Sequence, residues 1–420
     1  MLALQSLIGL TVIPLMAWAM SEARDAMPAG KMLRIVAIAL TAQAAIALVL
    51  LKVPATRVLF DGIGQGVFAL QRATDAGMQL VFGYLAGGPA PFEIKAPQND
   101  FLLAFRGLPL ILVLSALVHL LYHWGILQRV VAVFAAGLRR IAGTGGPLGT
   151  VSAASIFLGI VEAPLMIRPY LKDMQRGALF ATMVVTMATI AGTVMAIYAT
   201  ILDPLVPGAA GHLLAGSIMN VPGALMLARL AVPHGFDSGP ASAEIVLSSQ
   251  PQSSMDAIAQ GTIEGIKLLA TVIAMLVVMV SLVALVNAIL ALVAEPFGVK
   301  PTLQQLLGYL CAPLAWLIGI PAAESLTAGS LIGQKLVLNE FISYLDLART
   351  PEAALSPRSR VILTYAMCSF ANLGSLGILI GALTAMAPER RSEIVSLAPR
   401  AMIIGFLATL LSAAIVGVVV

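Results

Sequence analysis

Long apolar segments alternate with short polar connections along this chain, and their spacing predicts an all-α protein that crosses a membrane several times. The clearest segments cover residues 2–20, 32–53, 103–127, 266–293 and 401–420. Further spans are expected over residues 179–202, 212–232, 331–347 and 361–386. Because a helix needs about 20 residues to cross the hydrocarbon core, the pattern predicts about eight transmembrane helices.

Mixed segments separate some of these spans. Residues 56–87 and 129–141 carry charged and apolar side chains at helical spacing, which favours helices along the membrane interface. Residues 89–99 have the composition of an aqueous loop, and residues 235–254 that of a polar linker.

Two other segments are apolar but interrupted by glycine and proline. They cover residues 143–169, with Glu162 near the middle, and residues 303–328, with Glu324. Broken backbone at membrane depth is tolerated only where protein or a water-filled cavity covers it, so each segment predicts a re-entrant hairpin. Small-residue breaks follow at residues 190–193 and 372–375. Paired interruptions in two halves of a chain are typical of the central site of a transporter.

Composition supports a membrane protein, since 60% of the residues are hydrophobic, 10% are charged and the mean hydropathy is +0.98. The basic residues behind the net charge of +4 gather in short clusters such as Arg139-Arg140, Arg358 to Arg360 and Arg390-Arg391. Such clusters usually mark cytoplasmic ends of helices and do not indicate nucleic-acid binding. We therefore expect a multi-pass protein of the cell (inner) membrane, whose surroundings are the lipid bilayer.

A few polar side chains stand inside apolar runs, and these are the candidates for a binding site. Glu162, Glu340, Asn372 and Ser375 are of this kind, and an ionisable group at membrane depth is costly unless it has a partner or a ligand. Two structural alternatives remain open. Glu162 could pair with Arg168, and the Asn and Ser could serve helix packing.

Other side chains carry weaker signals. Lys335 is expected to reach the membrane interface with its long side chain. His119 and His123 have a metal-like spacing, although the sequence offers no evident third ligand. Cys311 and Cys368 lie in apolar runs and indicate neither a disulfide nor a metal site.

Channels and intramembrane enzymes are the competing classes. A channel should line its path with polar rings, whereas here the polar groups concentrate at the broken segments. The chain contains no His-Glu-x-x-His motif and no paired Asp residues in its spans. We therefore expect a carrier that is not an enzyme, with no catalytic residues and no cofactor.

Specific motifs carry a resemblance to a known family. Residues 157–171 resemble the run Phe-Leu-Gly-Gln-Thr-Glu-Ala-Pro-Leu-Leu-Ile-Arg-Pro-Tyr-Leu of the concentrative nucleoside transporters, and residues 333–341 fit that family's Gly-x-Lys-x-x-x-Asn-Glu-Phe signature. The similarity extends from about residue 116 to the carboxyl terminus and includes residues 189–194 and 217–222.

This resemblance implies a homotrimer in which scaffold helices hold a mobile transport domain of two inverted repeats that moves like an elevator. Residues 1–142 would form the amino-terminal scaffold and interfacial helices, and residues 143–234 the first half of the transport domain. Residues 235–300 would form the linker and a long scaffold helix, and residues 301–420 the second half. The implied function is cation-coupled symport of nucleosides or related ribosyl compounds into the cell. A carrier of the same fold for a non-nucleoside or modified-base substrate, or a channel, remains the alternative.

The resemblance also assigns site residues one at a time. Glu162 matches the hairpin carboxylate, Val194 a residue beside the base, and four residues match positions that hold the ribose or line the site: Glu340, Phe370, Asn372 and Ser375. Gly159, Ile160 and Val161 complete the expected substrate site. Ile160 and Val161 stand where the family has the Gln and Thr that hydrogen-bond the base.

The coupling ion is sodium or a proton. The family's sodium site would correspond to Ser155, Leu158, Thr189 and Ile190, and Ser155 replaces a side-chain Asn. Glu162 is the candidate proton carrier, because a carboxyl group in apolar surroundings binds a proton more readily than one in water.

Overall fold

The computed structural model describes residues 2–95, 101–142, 144–236 and 251–420. These residues form nineteen α-helices joined by turns, with no strand. The first nine are α1 (Leu2–Ala19), α2 (Ala29–Lys52), α3 (Pro54–Phe82), α4 (Leu103–Arg106), α5 (Leu110–His123), α6 (Ile126–Ala142), α7 (Gly146–Ala154), α8 (Glu162–Leu165) and α9 (Arg168–Leu171). The others are α10 (Arg176–Ala188), α11 (Gly192–Leu202), α12 (Ala209–Ala231), α13 (Ser254–Ala294), α14 (Leu303–Leu317), α15 (Ala322–Val337), α16 (Glu340–Arg349), α17 (Pro357–Ala366), α18 (Leu373–Met386) and α19 (Arg391–Val419). The predicted all-α fold is confirmed.

Seven helical segments in the described residues are long and apolar enough to cross a membrane, or eight if α14 and α15 count as one. These seven are α1, α2, α4 with α5, α10 with α11, α12, α13, and α19 with the turn before it. α14 and α15 meet at a bend of 118°, as expected for the second hairpin. The first hairpin region is likewise divided, into the short helices α7, α8 and α9.

One predicted span is wrong, and two others are interrupted. Residues 331–347 do not form one helix, because α15 ends at Val337 and α16 begins at Glu340. The side chain of Asn339 accepts a hydrogen bond from the backbone N–H of Ile342 at 2.9 Å and so starts a new helix. The predicted spans over residues 179–202 and 361–386 are each split into two helices at the small-residue breaks.

Other predicted boundaries shift by several residues. α13 begins at Ser254 rather than Ile266, because Ser253 caps it by accepting from the backbone N–H of Asp256 at 3.1 Å. α19 begins at Arg391 rather than residue 401. Both amphipathic connectors are helical, as α3 and α6. The predicted loop over residues 89–99 and the predicted linker over residues 235–254 can be compared with the structure only in part, since residues 96–99 and 237–250 lie outside the described ones.

The interior of the molecule is built around α10, α11, α12 and α19. Of the 18 most apolar consecutive residues in each of these spans, 83% are buried, whereas in α13 only 6% are buried. Small residues allow close packing here. Gly211 of α12 lies against the ring of Phe60 in α3, where any Cβ would overlap the ring. α13 therefore lies at the periphery, packed mainly along α5.

An ion-pair cluster joins three parts of the chain at one end of the molecule. Glu22, in the turn after α1, accepts from Arg176 of α10 and from Arg400 of α19, both at 2.7 Å. Arg176 also pairs with Glu393 at 3.2 Å, and Arg390 with Glu393 at 2.6 Å. We call these five residues the Glu22 cluster. This end of the molecule is rich in arginine, so we expect it to face the cytoplasm. The basic cluster at residues 358–360 does not lie there, since Arg358 donates to the carbonyl of Gly417 near the other end of α19.

Candidate functional site

A cavity of about 200 Å³ lies where the two helix breaks meet the loop between α7 and α8. The nine residues predicted to form the substrate site all line it: Gly159, Ile160, Val161, Glu162, Val194, Glu340, Phe370, Asn372 and Ser375. The chain thus brings together residues that are more than 200 positions apart in the sequence.

Glu340 is the centre of the polar wall of this cavity. Its Oε1 accepts a hydrogen bond from the hydroxyl of Tyr198 at 2.8 Å, and its Oε2 accepts from Nδ2 of Asn372 at 3.0 Å. All three side chains are almost fully buried. Because a carboxylate oxygen can accept more than one hydrogen bond, both oxygens can still accept from a ligand hydroxyl.

The polar residues owe their positions to helix starts. Asn339 caps α16, so Glu340 occupies the first turn, where the positive end of the helix dipole favours a carboxylate. Asn372 caps α18, and its Oδ1 accepts from the backbone N–H of Ser375 at 2.8 Å. With both ends of its amide engaged, Asn372 is held in one orientation beside Glu340.

The two helix breaks contact each other directly. The backbone N–H of Phe370 donates to the carbonyl of Thr189 at 3.0 Å. Asn220 of α12 spans both breaks, since its Nδ2 donates to the carbonyls of Ala188 at 2.8 Å and Cys368 at 3.0 Å. Broken helices leave carbonyls without intrahelical partners, and this one amide satisfies one on each side.

Lys335 differs from its prediction. It does not extend to the membrane interface but is fully buried, and its Nζ donates to Oγ of Ser369 at 2.7 Å and to the carbonyl of Ala371 at 2.9 Å. The ammonium also lies 5.3 Å from the ring centroid of Phe406. It therefore stabilises the break between α17 and α18 from below the cavity, where a turn of irregular backbone supplies acceptors.

The loop between α7 and α8 closes another side of the cavity. The carbonyl of Phe157 accepts from the backbone N–H of Gly192 at 2.8 Å, which attaches the loop to the start of α11. Glu162 is exposed at the cavity, and a Cβ at position 159 would overlap its Oε2. Glu162 makes no ion pair with Arg168 in the described part of the chain, so the structural-lock alternative finds no support.

The remaining wall is mostly apolar, and Thr193 and Thr271 also line it. Ile160, Val161 and Val194 form one part of it. The other part was not anticipated and comes from α5, α13 and the turn between α4 and α5: Leu108, Ile111, Leu268, Val272, Met275 and Leu276. Their hydrophobicity matches any lipid-facing helix, so the sequence pattern could not single them out.

The residues of the expected sodium site lie on two segments, residues 155–158 and 189–190. The hydrogen bond from the N–H of Gly192 to the carbonyl of Phe157 holds the neighbouring backbone of these segments together. Ser155 and Thr189 are buried, and each hydroxyl donates to a carbonyl of the preceding turn, at 2.7 and 3.1 Å. Leu158 and Ile190 are buried as well. Both hydroxyl oxygens retain lone pairs, so the set offers hydroxyl and backbone carbonyl oxygens but no side-chain amide oxygen.

The other candidate metal spacing does not develop into a site. Nδ1 of His119 lies 2.9 Å from the carbonyl of Ser115, and the described residues contain no cluster of three His, Cys, Asp or Glu side chains suited to a metal. Cys311 and Cys368 are free and buried, as expected.

Two polar residues of the site were missed by sequence reasoning. Tyr198 lies one helical turn after Val194, and that spacing was the available signal. Asn220 lies within residues 217–222, which resemble the family, but its contacts depend on backbone brought close by folding.

The chain is similar to known proteins along nearly its whole length. Three family models match it: "Na+ dependent nucleoside transporter N-terminus" over residues 8–85, "Nucleoside recognition" over residues 104–205, and "Na+ dependent nucleoside transporter C-terminus" over residues 212–417. An uncharacterized transporter of Haemophilus influenzae is 38% identical over 99% of this chain and 98% of its own. The nucleoside permease NupC of Helicobacter pylori is 33% identical over 99% of this chain and 97% of its own. The solved structure of CNTnw in an inward-facing substrate-bound state has a TM-score of 0.88 at 35% identity and covers 100% of this chain and 98% of that one.

Proposed function

This chain belongs to the concentrative nucleoside transporter family, and we propose that it is a multi-pass cell-membrane symporter that imports nucleosides or related ribosyl compounds together with a cation. It acts as a carrier and not as an enzyme. The observation that carries the proposal is the hydrogen-bonded group of Glu340, Asn372 and Tyr198 at the wall of a cavity between two helix breaks.

Ribose recognition is assigned to this group. Vicinal hydroxyls are donors that need acceptors, and a carboxylate supplies the strongest hydrogen bonds available to them. Glu340 accepts from the ribose, while Tyr198 and Asn372 hold the carboxylate in place. Phe370 and Ser375 line the same part of the cavity.

The base is assigned to the apolar side, against Ile160, Val161 and Val194. Gly159 allows the loop to approach, and Glu162 stands at the same edge. None of the three apolar side chains can hydrogen-bond a base edge, so they bind the base through contact area and dispersion. Glu162 is the group at this edge that can accept from a base N–H.

Coupling and movement follow from the same assignment. The matching family models describe Na+-dependent transporters, so a cation couples transport. It is sodium, held weakly by Ser155, Leu158, Thr189 and Ile190, or a proton carried by Glu162. Residues 143–234 and 301–420 move together as the transport domain, because Asn220 ties α12 to both helix breaks. Residues 1–142 and 235–300 contain the scaffold, and three copies assemble.

The test is uptake of labelled nucleosides into proteoliposomes, with sodium and proton gradients imposed separately. We expect uptake that is driven by at least one gradient and inhibited by unlabelled nucleosides. Equal rates with no gradient of either ion would contradict symport.

Glu340→Gln tests the site. The amide offers one acceptor oxygen in place of two, and a hydrogen bond to a charged group contributes about 1.5 to 3 kcal/mol, so uptake should fall by about tenfold or more. The matched control is Glu352→Gln, which changes an exposed carboxylate outside the cavity. Uptake at wild-type rates in a folded Glu340→Gln protein would remove Glu340 from the site.

A further inference from the structure

A second cavity, of about 330 Å³, lies at the arginine-rich end of the molecule between α2, α12 and the residue Thr144 that precedes α7. It shares no lining residue with the substrate cavity. Three of its lining side chains are cationic: Lys31, Arg34 and Arg229.

These cations face the cavity without carboxylate partners. Lys31 and Arg34 lie one turn apart near the start of α2, and Arg229 lies in the last turn of α12. In the described residues none of the three forms an ion pair, and the recorded contact of Arg229 is with the ring of Phe236, 5.0 Å from its centroid. Three unpaired positive charges around one cavity favour an anion.

Thr144 provides a second, independent indication. Its side chain is 3% exposed and lines the same cavity, and its Oγ1 has no hydrogen-bond partner among the described residues. Buried hydroxyls are usually hydrogen-bonded. A ligand oxygen in the cavity would supply the missing partner.

The remaining lining residues are apolar, and they occupy a definite side of the cavity. Along α2, Lys31 and Arg34 come first, followed by Ile35 and Ile38 about 6 Å deeper, at 1.5 Å per residue. α12 repeats this order, with Arg229 at the outer end and Met226, Leu225 and Pro222 further in. A charged outer part above an apolar inner part fits an amphiphile better than a free phosphate ion, which could use only the charged part.

The position in the membrane agrees with a lipid. The backbone N–H of Glu22 donates to the carbonyl of Ala231 at 3.0 Å, which joins the outer end of this cavity to the Glu22 cluster. Arginine marks this end as cytoplasmic. Anionic phospholipids occupy the cytoplasmic leaflet, and basic pockets between helices on that side bind their headgroups.

We propose that this cavity binds the phosphate-bearing headgroup of an anionic phospholipid from the cytoplasmic leaflet. Lys31, Arg34 and Arg229 surround the phosphate, and Thr144 donates its hydroxyl to a headgroup oxygen. The acyl chain lies along Ile38 and Leu225. Since α2 and α12 both contribute, the lipid bridges two helices that come from different parts of the chain.

The experiment measures lipid binding to the delipidated full-length protein in detergent, by native mass spectrometry and by the shift in melting temperature. Phosphatidylglycerol and phosphatidylcholine with identical acyl chains are compared, and glycerol 3-phosphate and inorganic phosphate serve as water-soluble arms. We expect phosphatidylglycerol to bind and stabilise the protein, and the other three to have no such effect. Equal stabilisation by phosphatidylcholine or by either soluble phosphate would overturn the lipid assignment.

Variants locate the site. Each cation contributes about 1 kcal/mol to binding an anionic lipid, which is about fivefold in affinity. The combined change of Lys31→Gln, Arg34→Gln and Arg229→Gln should weaken phosphatidylglycerol binding on the order of a hundredfold. The matched control is Lys52→Gln, at the opposite end of α2, which should bind as the wild type does. Unchanged binding by the triple variant would overturn the proposal.

Two milder variants cover the case in which the triple variant does not fold. Arg34→Gln alters one exposed side chain and should weaken binding about fivefold. Thr144→Val removes the unpartnered hydroxyl while keeping the shape of the side chain, so it should weaken lipid binding without lowering the melting temperature of the lipid-free protein. If both folded variants bind phosphatidylglycerol as tightly as the wild type, the site lies elsewhere.

Discussion

At the scale of single residues, the hydrogen-bonded group of Glu340, Tyr198 and Asn372 and the apolar side chains of Ile160 and Val161 form different parts of the cavity wall. A buried carboxylate is costly unless its hydrogen bonds are satisfied, so the protein keeps it ready with two donors. The substrate therefore meets a preorganised acceptor.

The apolar wall predicts that the ribose matters more than the base. A pyrimidine edge against Ile160 and Val161 loses water without compensation, at about 1 to 3 kcal/mol per unpaired group. The double change Ile160→Gln with Val161→Thr introduces the base-binding residues of the family. It should tighten uridine binding by about tenfold or more, and a tenfold change in Kd corresponds to about 1.4 kcal/mol of binding free energy. Binding is measured by competition with labelled substrate.

Leu326→Gln is the matched control for the base, because it changes an exposed leucine outside the cavity. Deoxygenated riboses should bind poorly to the wild type and to both variants. If the folded double variant binds uridine no better than the wild type, the base does not face these two residues.

Ser155 predicts the coupling behaviour. Hard cations are held by several oxygen ligands, and the Ser155 hydroxyl, which already donates to Val151, is shorter than the amide it replaces. Wild-type uptake should therefore depend weakly on sodium and respond to a proton gradient. Ser155→Asn should raise the sodium dependence of uptake measured in proteoliposomes.

Ser152→Asn is the control for the Ser155 variant, since Ser152 is also a buried serine of the same hairpin. Strict sodium dependence of the wild type, with no effect of a proton gradient, would contradict this prediction. An equal response of both variants would assign the effect to packing rather than to the ion.

Sequence reasoning reached the residues whose chemistry is unusual for their surroundings and missed those whose role depends on folding. Glu162, Glu340 and Asn372 stand out as polar groups inside apolar runs. Tyr198 does not, because a tyrosine in an apolar helix usually serves packing. Lys335 was misjudged, since its acceptors on the α17–α18 break are 34 and 36 residues away.

At the scale of elements, the polarity pattern located the helices, and local hydrogen bonds decided where they stop. Within the predicted spans over residues 331–347 and 361–386, α15 ends at Val337 and α17 at Ala366, and the side chains of Asn339 and Asn372 cap the helices that follow. A hydropathy pattern averages over many residues, so a single Asn does not interrupt the span that it predicts. The breaks nevertheless form the site, because they place helix starts at the cavity.

The Glu22 cluster predicts a pH dependence of stability. The guanidinium of Arg176, which hydrogen-bonds the Glu22 carboxylate, lowers the pKa of that group below its ordinary value; burial opposes this and Arg400 adds to it. A group whose pKa is lowered by folding stabilises the protein above its unfolded pKa, about 4.3 for Glu, and loses that contribution as the pH falls through the folded pKa.

Glu22→Gln should therefore destabilise the protein at pH 7 by up to about 1 kcal/mol, the usual scale for exposed ion pairs. The difference from the wild type should shrink below about pH 4. Thermal unfolding in detergent between pH 3.5 and pH 7, at low salt, measures it. Asp25→Asn, which changes a neighbouring exposed carboxylate without an ion pair in the described structure, should show no such trend. A constant difference at every pH would exclude an electrostatic origin.

At the scale of the whole molecule, α13 predicts how copies assemble. Its side chains near the middle face away from the chain, with Val280 53% and Leu285 57% exposed. We expect this face to meet two further copies in a homotrimer. Light scattering in mild detergent should give three times the mass of one chain, and Val280→Arg should lower it.

Leu7→Arg is the control for assembly, since Leu7 is a comparably exposed residue of α1. Arginine costs about the same for membrane insertion at both positions, roughly 2.5 to 3.5 kcal/mol near a helix centre. The two variants should therefore differ only if Val280 contacts another copy of the chain and Leu7 does not. A single-chain mass for the wild type, or an unchanged mass for a folded Val280→Arg protein, would contradict the trimer.

The length of α13 has a consequence for the membrane itself. Residues 268–294 contain no charged side chain and measure about 40 Å at 1.5 Å per residue, against a hydrocarbon thickness of about 30 Å. The helix must tilt by about 40° or thicken the surrounding bilayer. Because α5 packs along α13 and both line the substrate cavity, lipid acyl-chain length changes the angle of one wall of that cavity.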